Sequence, residues 1–253
     1  HRGIFFDMHG VLMDERVLFP QYAQAEARLL AARFGQSEDA WMAVYGRLMK
    51  EWQKIWRSLD LRVPDGVGRM ERAWQKVAQE GFERAGVELS AEELAWVVEE
   101  LPQKAGMACQ AAFPEAAETL AQLKEMGYQL AVASLAMSSY NRGLLVGSSI
   151  AQHFSRVFGP DNIGLAYKCP QYYQRAAAMM GLDPARSVIV DDNLDGIAAA
   201  SDLGALSVLI DRGETPGELP GRDRARKMAN LVLPNLRGLA EELPESFPPE
   251  RGA

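Results

Sequence analysis

Four polar residues stand where short apolar runs stop: Asp7 after Ile4-Phe5-Phe6, Ser134 after Leu130-Ala131-Val132-Ala133, and the Asp191-Asp192 pair after Val188-Ile189-Val190. A fifth, Lys168, lies just ahead of Pro170. Each type suits one part of phosphoryl chemistry. A carboxylate can attack phosphorus, adjacent carboxylates can hold a hard divalent ion, and a hydroxyl and an ammonium can bind phosphoryl oxygens. Magnesium suits such a set, because it takes few carboxylates and completes its shell with phosphate and water.

These residues need a sheet to bring them together. The apolar runs at 4–7, 129–133, 187–190 and 206–210 read as buried strands, with a shorter one at 156–158. Helices are expected between them over 114–126, 139–146, 170–180 and 197–203, several opened by Pro and closed by Gly. Short apolar strands alternating with helices predict a doubly wound parallel sheet, in which ligands bind at the carboxyl ends of the strands.

From Pro20 to Trp96 the texture differs, with apolar residues at helical spacing and no strand signal. Helices are predicted from Tyr22 to Phe34, after an N-cap at Ser37, and after a capping box at Ser90-Ala91-Glu92-Glu93. The Pro- and Gly-bearing stretch 61–68 predicts a loop. The division is a core of 1–14 and 111–253 and a helical cap of 15–110.

Taken singly, each candidate has an ordinary explanation. Asp after a strand is a common turn former, Asp191-Asp192-Asn193 would serve to cap the next helix, and a lone lysine is usually a solvated charge. Their joint placement is the signal. The runs Phe5-Phe6-Asp7-Met8-His9-Gly10-Val11-Leu12, Ala133-Ser134, Tyr167-Lys168-Cys169-Pro170 and Val188 to Ala200 resemble, in order, the four motifs of the haloacid dehalogenase-like hydrolase superfamily.

That resemblance implies an α/β Rossmann-like core with an inserted cap, and a magnesium-dependent hydrolase of small phosphate monoesters. It implies Asp7 as nucleophile and metal ligand, with the backbone carbonyl of His9 as a second ligand. Asp192 would be the main ligand of the later loop and Asp191 its partner, Ser134 would donate to the phosphoryl group, and Lys168 would neutralise charge beside Asp7. Asp195 reads as a helix cap.

His9 departs from the pattern, because phosphatases of this family carry a second Asp there as general acid and base. An imidazole titrates near neutrality and can do this work, yet its shape and a neighbouring ion disfavour it. Two readings stay open: a working proton donor, or an impaired enzyme that binds a phosphorylated ligand or a protein. A phosphomutase fits less well. A dehalogenase is disfavoured by the Asp191-Asp192 pair, and a phosphonatase would need a cap lysine such as Lys50 or Lys54. Leu135 and Cys169 are smaller departures.

The bulk properties agree with a small-molecule partner. A net charge of -7 and a pI near 5.2 disfavour nucleic acid and anionic membranes. Cys109 and Cys169 make no zinc pattern or disulfide framework. No leader and no apolar run of roughly 18 residues is present, so a cytoplasmic protein is expected. In the cap, the tryptophans and Tyr45 read as core, while Arg57, Arg62 and Arg69 flank the 61–68 loop, where they could meet an anionic group.

Overall fold

The computed structural model describes residues 2–213 and 221–243. Its strands are β1 (Gly3–Phe6), β2 (Gln129–Ala133), β3 (Arg156–Phe158), β4 (Val188–Asp191), β5 (Leu206–Ile210) and β6 (Leu231–Leu233). They form one parallel sheet in the order β3-β2-β1-β4-β5-β6. The order reverses between β1 and β4, which opens a crevice at their carboxyl ends. Phe6 pairs with Val190, so Asp7 and Asp191 leave the sheet side by side.

The helices, in chain order, are α1 (Glu15–Phe34), α2 (Glu38–Trp56), α3 (Gly66–Arg84), α4 (Ala91–Ala95), α5 (Leu101–Met107), α6 (Ala116–Glu125), α7 (Ser138–Gly147), α8 (Pro160–Ile163), α9 (Pro170–Met180), α10 (Leu194–Leu203), α11 (Arg222–Met228) and α12 (Leu239–Glu242). Successive strand residues face opposite sides. Ile4 and Phe6 pack with Leu120 and Leu123 of α6 and Leu144 of α7, whereas Phe5 packs with Tyr172, Tyr173 and Ala176 of α9. The sheet is therefore a buried middle layer.

Helices α1 to α5 build the cap around Leu30, Trp41, Leu48, Phe82 and Val97. A π-helical turn at Trp96–Glu100 joins α4 to α5. Trp41 and Trp96 are buried, and Tyr45, Trp52, Trp56 and Trp74 are partly buried against apolar neighbours, which accounts for their helical spacing. The cap meets the core twice. Leu18 and Tyr22 of α1 and Ala105 of α5 join the main core, and Leu61 and Met70 pack on Ala166 at the far side.

Several boundaries differ from the sequence reading. Helix α1 begins seven residues before Tyr22, because Asp14 caps it by accepting from Arg16 N at 3.0 Å and Pro20 forgoes only one backbone bond. Helix α3 begins at Gly66, inside the expected loop, where a side chain would strike the Leu61 carbonyl. Helix α10 begins three residues early, since Asn193 accepts from Asp195 N and Gly196 N. Asp195 is thus in the first turn, and Asn193 is the cap. Ser37 and Ser90 cap as expected. The stretch 211–217 after β5 reads from its Gly and Pro content as a loop and the tail from Pro244 as a frayed terminus, but residues 214–217 and that tail lie outside the described residues. Strand β6 and helices α11 and α12 were not anticipated.

Candidate active site

Strand β1 hands its direction to Asp7, whose N–H still donates to Val190 O at 2.9 Å. The chain then turns tightly: Leu12 N and Met13 N both donate to Met8 O, at 3.0 and 2.8 Å, and Gly10 N donates to Met13 O at 3.1 Å. Gly10 has φ +71°, and a Cβ there would collide with the Asp192 carboxylate. Gly196 does the same for Asp191, because a side chain on it would occupy the space of that carboxylate. Both glycines make room for acids.

Lys168 Nζ lies 2.9 Å from Asp7 Oδ1 and 2.5 Å from Asp191 Oδ2, and all three side chains are nearly buried. Asp191 is heavily engaged: Oδ1 accepts from Asp192 N at 2.9 Å and Asn193 N at 3.1 Å, and Oδ2 also accepts from Tyr173 Oη at 3.4 Å. Asp192 has fewer donors, with Asn193 Nδ2 at 3.4 Å. Each of Asp7, Asp191 and Asp192 offers an oxygen within 4.8 Å of the others.

The electrostatics follow from that crowding. Burial pushes Asp192 and Asp191 up from the usual carboxylate range, and the other acids add to it, Asp7 foremost. Burial works against the Lys168 ammonium, but Asp191 and Asp7 outweigh it and hold the lysine above its ordinary range. For the Lys168–Asp191 contact, the two shifts pull in opposite senses. The lysine's governs, because it is the single cation among three carboxylates and both carboxylates within reach favour its charge. A remaining excess of negative charge on hard oxygens is what a divalent cation would complete, so the residues fit magnesium.

Ser134 is buried at the end of β2 beside β1; its Oγ accepts from Ala136 N at 3.2 Å and keeps its own proton to donate. The His9 ring does not join the carboxylate cluster. Its Nδ1 is 3.2 Å from Glu15 Oε1, and the ring lies parallel to Tyr140, centroids 5.9 Å apart, and close to Phe19 at 6.0 Å. Lys50 and Lys54 are exposed on α2. Of the cap arginines, Arg62 reaches the core, pairing with Asp195 at 3.2 Å and lying over the Tyr167 ring at 5.0 Å.

The structure brings Lys168 into contact with Asp7 and Asp191, places an Asp192 oxygen within 4.8 Å of one on each of those acids, sets Ser134 on the adjacent strand end, and turns the His9 ring toward α1. Tyr173, Glu15 and Tyr140 escaped the sequence reading, since nothing in their local spacing separates them from ordinary helix residues. Asn193 carried a readable signal as a cap residue three places before Gly196. Among the described residues no helix is long and apolar enough to cross a membrane.

A family model described as haloacid dehalogenase-like hydrolase matches residues 1–204. The phosphoglycolate phosphatase of Caulobacter vibrioides is 30% identical over 162 residues, which are 62% of this chain and 67% of that one. The (S)-2-haloacid dehalogenase 4A of Burkholderia cepacia is 24% identical over 222 residues, 86% of each chain. Other phosphatase matches span less, down to 42% of the relative's length. In fold, the chain superposes on the magnesium-bound HAD-hydrolase YfnB of Bacillus subtilis with a TM-score of 0.62 at 14% identity, covering 96% of this chain and 98% of that one.

Proposed function

The chain belongs to the haloacid dehalogenase-like hydrolases, and from that premise we propose that it hydrolyses small phosphate monoesters through an aspartyl-phosphate on Asp7. The buried cluster of three carboxylates around Lys168 carries this reading. A 2-haloacid dehalogenase, suggested by the longer likeness to such enzymes, has no use for an acid pair that repels its anionic substrate. A phosphatase needs those acids for its metal.

In the proposed reaction, one Asp7 oxygen stays on Lys168 while the other attacks phosphorus and the ester P–O bond breaks. Lys168 and Ser134 hold the phosphoryl oxygens. Magnesium, held by Asp7, Asp192, Asp191 and the His9 carbonyl, would offset phosphoryl charge in a site that is otherwise too acidic for an anion. The His9 ring, whose Nδ1 lies 3.2 Å from Glu15 Oε1, would use Nε2 to protonate the departing oxygen. Water then attacks phosphorus, giving a proton back to His9 Nε2 as the bond between phosphorus and the Asp7 oxygen breaks, which releases phosphate and restores both Asp7 and the histidine. The cap, in contact with the core on two sides, limits the substrate to a small phosphorylated metabolite, handled in the cytoplasm.

The test is a panel of phosphate monoesters and 2-haloacids, with magnesium or with chelator. Magnesium-dependent release of phosphate is expected, and Asp7→Asn should lower it by at least roughly 10³-fold. Halide release without metal would overturn the reading. His9→Asp separates a working histidine from the impaired, ligand-binding alternative: the rate should fall, and a gain of orders of magnitude would mark the histidine as an impairment.

A further inference from the structure

The chain crosses between core and cap twice, and the crossings lie against each other. Phe113 N donates to Leu12 O and Asp14 N to Ala111 O, at 2.9 and 2.8 Å, with Met13 bridged to Ala112. One guanidinium grips both. Arg212, just beyond β5, donates through Nε to Gly10 O at 3.0 Å and through Nη2 to Val11 O at 3.1 Å, both on the outgoing crossing. Its Nη1 is 2.9 Å from Glu115 Oε1, and its carbon sits 3.2 Å from the centre of the Phe113 ring, both on the return crossing.

The grip is built to be rigid. The Arg212 side chain is 19% exposed and Glu115 only 7%. The preceding residue, Asp211, is tied to Arg222 and Arg226 near α11, and its N–H donates to Leu233 O at 2.8 Å. Arg212 therefore projects from a braced strand end. A planar guanidinium with two fixed donors and a third nitrogen set against the Glu115 carboxylate does this, and a lysine cannot reach all three partners.

We propose that Arg212 is a positioning residue for the reaction at Asp7: it fixes the Gly10–Val11 carbonyls, hence the turn that carries Asp7 and His9, and pins the cap's hinge to the core. The proposal deepens the phosphatase reading for the same site. Arg212 touches no reacting atom. Its effect passes through the turn, where a displacement near 1 Å costs up to roughly 10²-fold in rate.

The test compares Arg212→Met and Arg212→Lys with the parent chain. Amide hydrogen exchange comes first, because it needs no substrate. In Arg212→Met, exchange should quicken selectively at residues 8–14 and 111–115, while β2 and α9 keep their protection. With a phosphate ester that the parent hydrolyses, kcat should fall roughly 10- to 100-fold with KM within about twofold. Arg212→Lys should keep the Glu115 pair and the thermal midpoint but recover neither the local protection nor kcat.

Uniform acceleration of exchange across the chain, or full recovery of kcat by lysine, would overturn the positioning role. If the parent turns over no ester, the phosphatase reading fails, and the exchange pattern still decides whether Arg212 pins the hinge.

Discussion

Two buried sets of ionisable groups, one in the crevice and one in the cap, meet the cost of burial in opposite ways. In the crevice, Asp7 and Asp191 share the Lys168 ammonium at 2.9 and 2.5 Å. In the cap, Glu26 of α1 is buried among Tyr22, Tyr45, Tyr140 and Cys109, with no cation beside it among the described residues. Burial pushes Glu26 up to about 8, against partial relief from the Tyr22 hydroxyl. The acids within reach of Lys168 are given a counter-ion, whereas the Glu26 carboxyl, with none, keeps its proton. Tyr140, of the Glu26 set, lies edge-on to Tyr22 at 5.3 Å and parallel to the His9 ring.

The largest effect expected from this contrast is at Lys168. Replacing it by Met leaves Asp7 and Asp191 buried without their cation, and loss of one partner of a buried pair costs roughly 3–5 kcal/mol. Urea unfolding without metal should show that loss, and saturating magnesium should return part of it, about 2.7 kcal/mol at 100 times its Kd. A loss under about 1 kcal/mol would mean that the ammonium is not what holds the acids.

At Glu26 the effect depends on pH. The folded carboxyl titrates near 8, above its ordinary value of 4.5, so between these values the folded state keeps a proton that the unfolded chain has released. Stability is therefore intact at low pH and declines as pH rises through that window, by up to about 1.4 kcal/mol per unit, levelling off above 8. Glu26→Gln should remove this decline. Denaturation of both proteins at pH 5 and pH 8 checks it, and parallel profiles would show that Glu26 finds a counter-charge.

The same contrast explains what was legible in the sequence. Buried strands of a parallel sheet are continuous apolar runs, so β2 and β5 were bounded to the residue, as was the shorter, half-exposed β3, and the acids closing β1 and β4 followed from such runs. Strand β6 has a three-residue apolar run, Leu231-Val232-Leu233, but it lies half exposed at the sheet edge, too short to stand out from a helical or loop segment. Asp7, Lys168, Asp191 and Asp192 were readable because sheet topology alone brings them together. The Glu15 contact of His9, the Glu26 pocket and the Arg212 fork join residues through tertiary packing, and no local period encodes them. Asp195 was misread as a cap because the helix starts a turn earlier than its apolar run, at Leu194, where Asn193 caps it by accepting from Asp195 N and Gly196 N.

The smallest effect expected is at the outer edge of the crevice, where Arg62 of the cap loop meets Asp195 at 3.2 Å over the Tyr167 ring. Both side chains are more than half exposed, so water screens the pair and competes for each partner. A double-mutant cycle of Arg62→Ala and Asp195→Ala should give a coupling of about 0.2–1 kcal/mol, shrinking in 1 M salt, where the screening length falls to about 3 Å. Lys168 and Arg62 each join a carboxylate near the same loop, at separations that differ by less than an ångström. If the exposed pair proved as strong as the buried one, separation would set the strength of both, and the counter-ion in the crevice would need another explanation. A weak, salt-sensitive coupling leaves burial as the cause and makes Arg62 a contact that cap opening breaks at little cost.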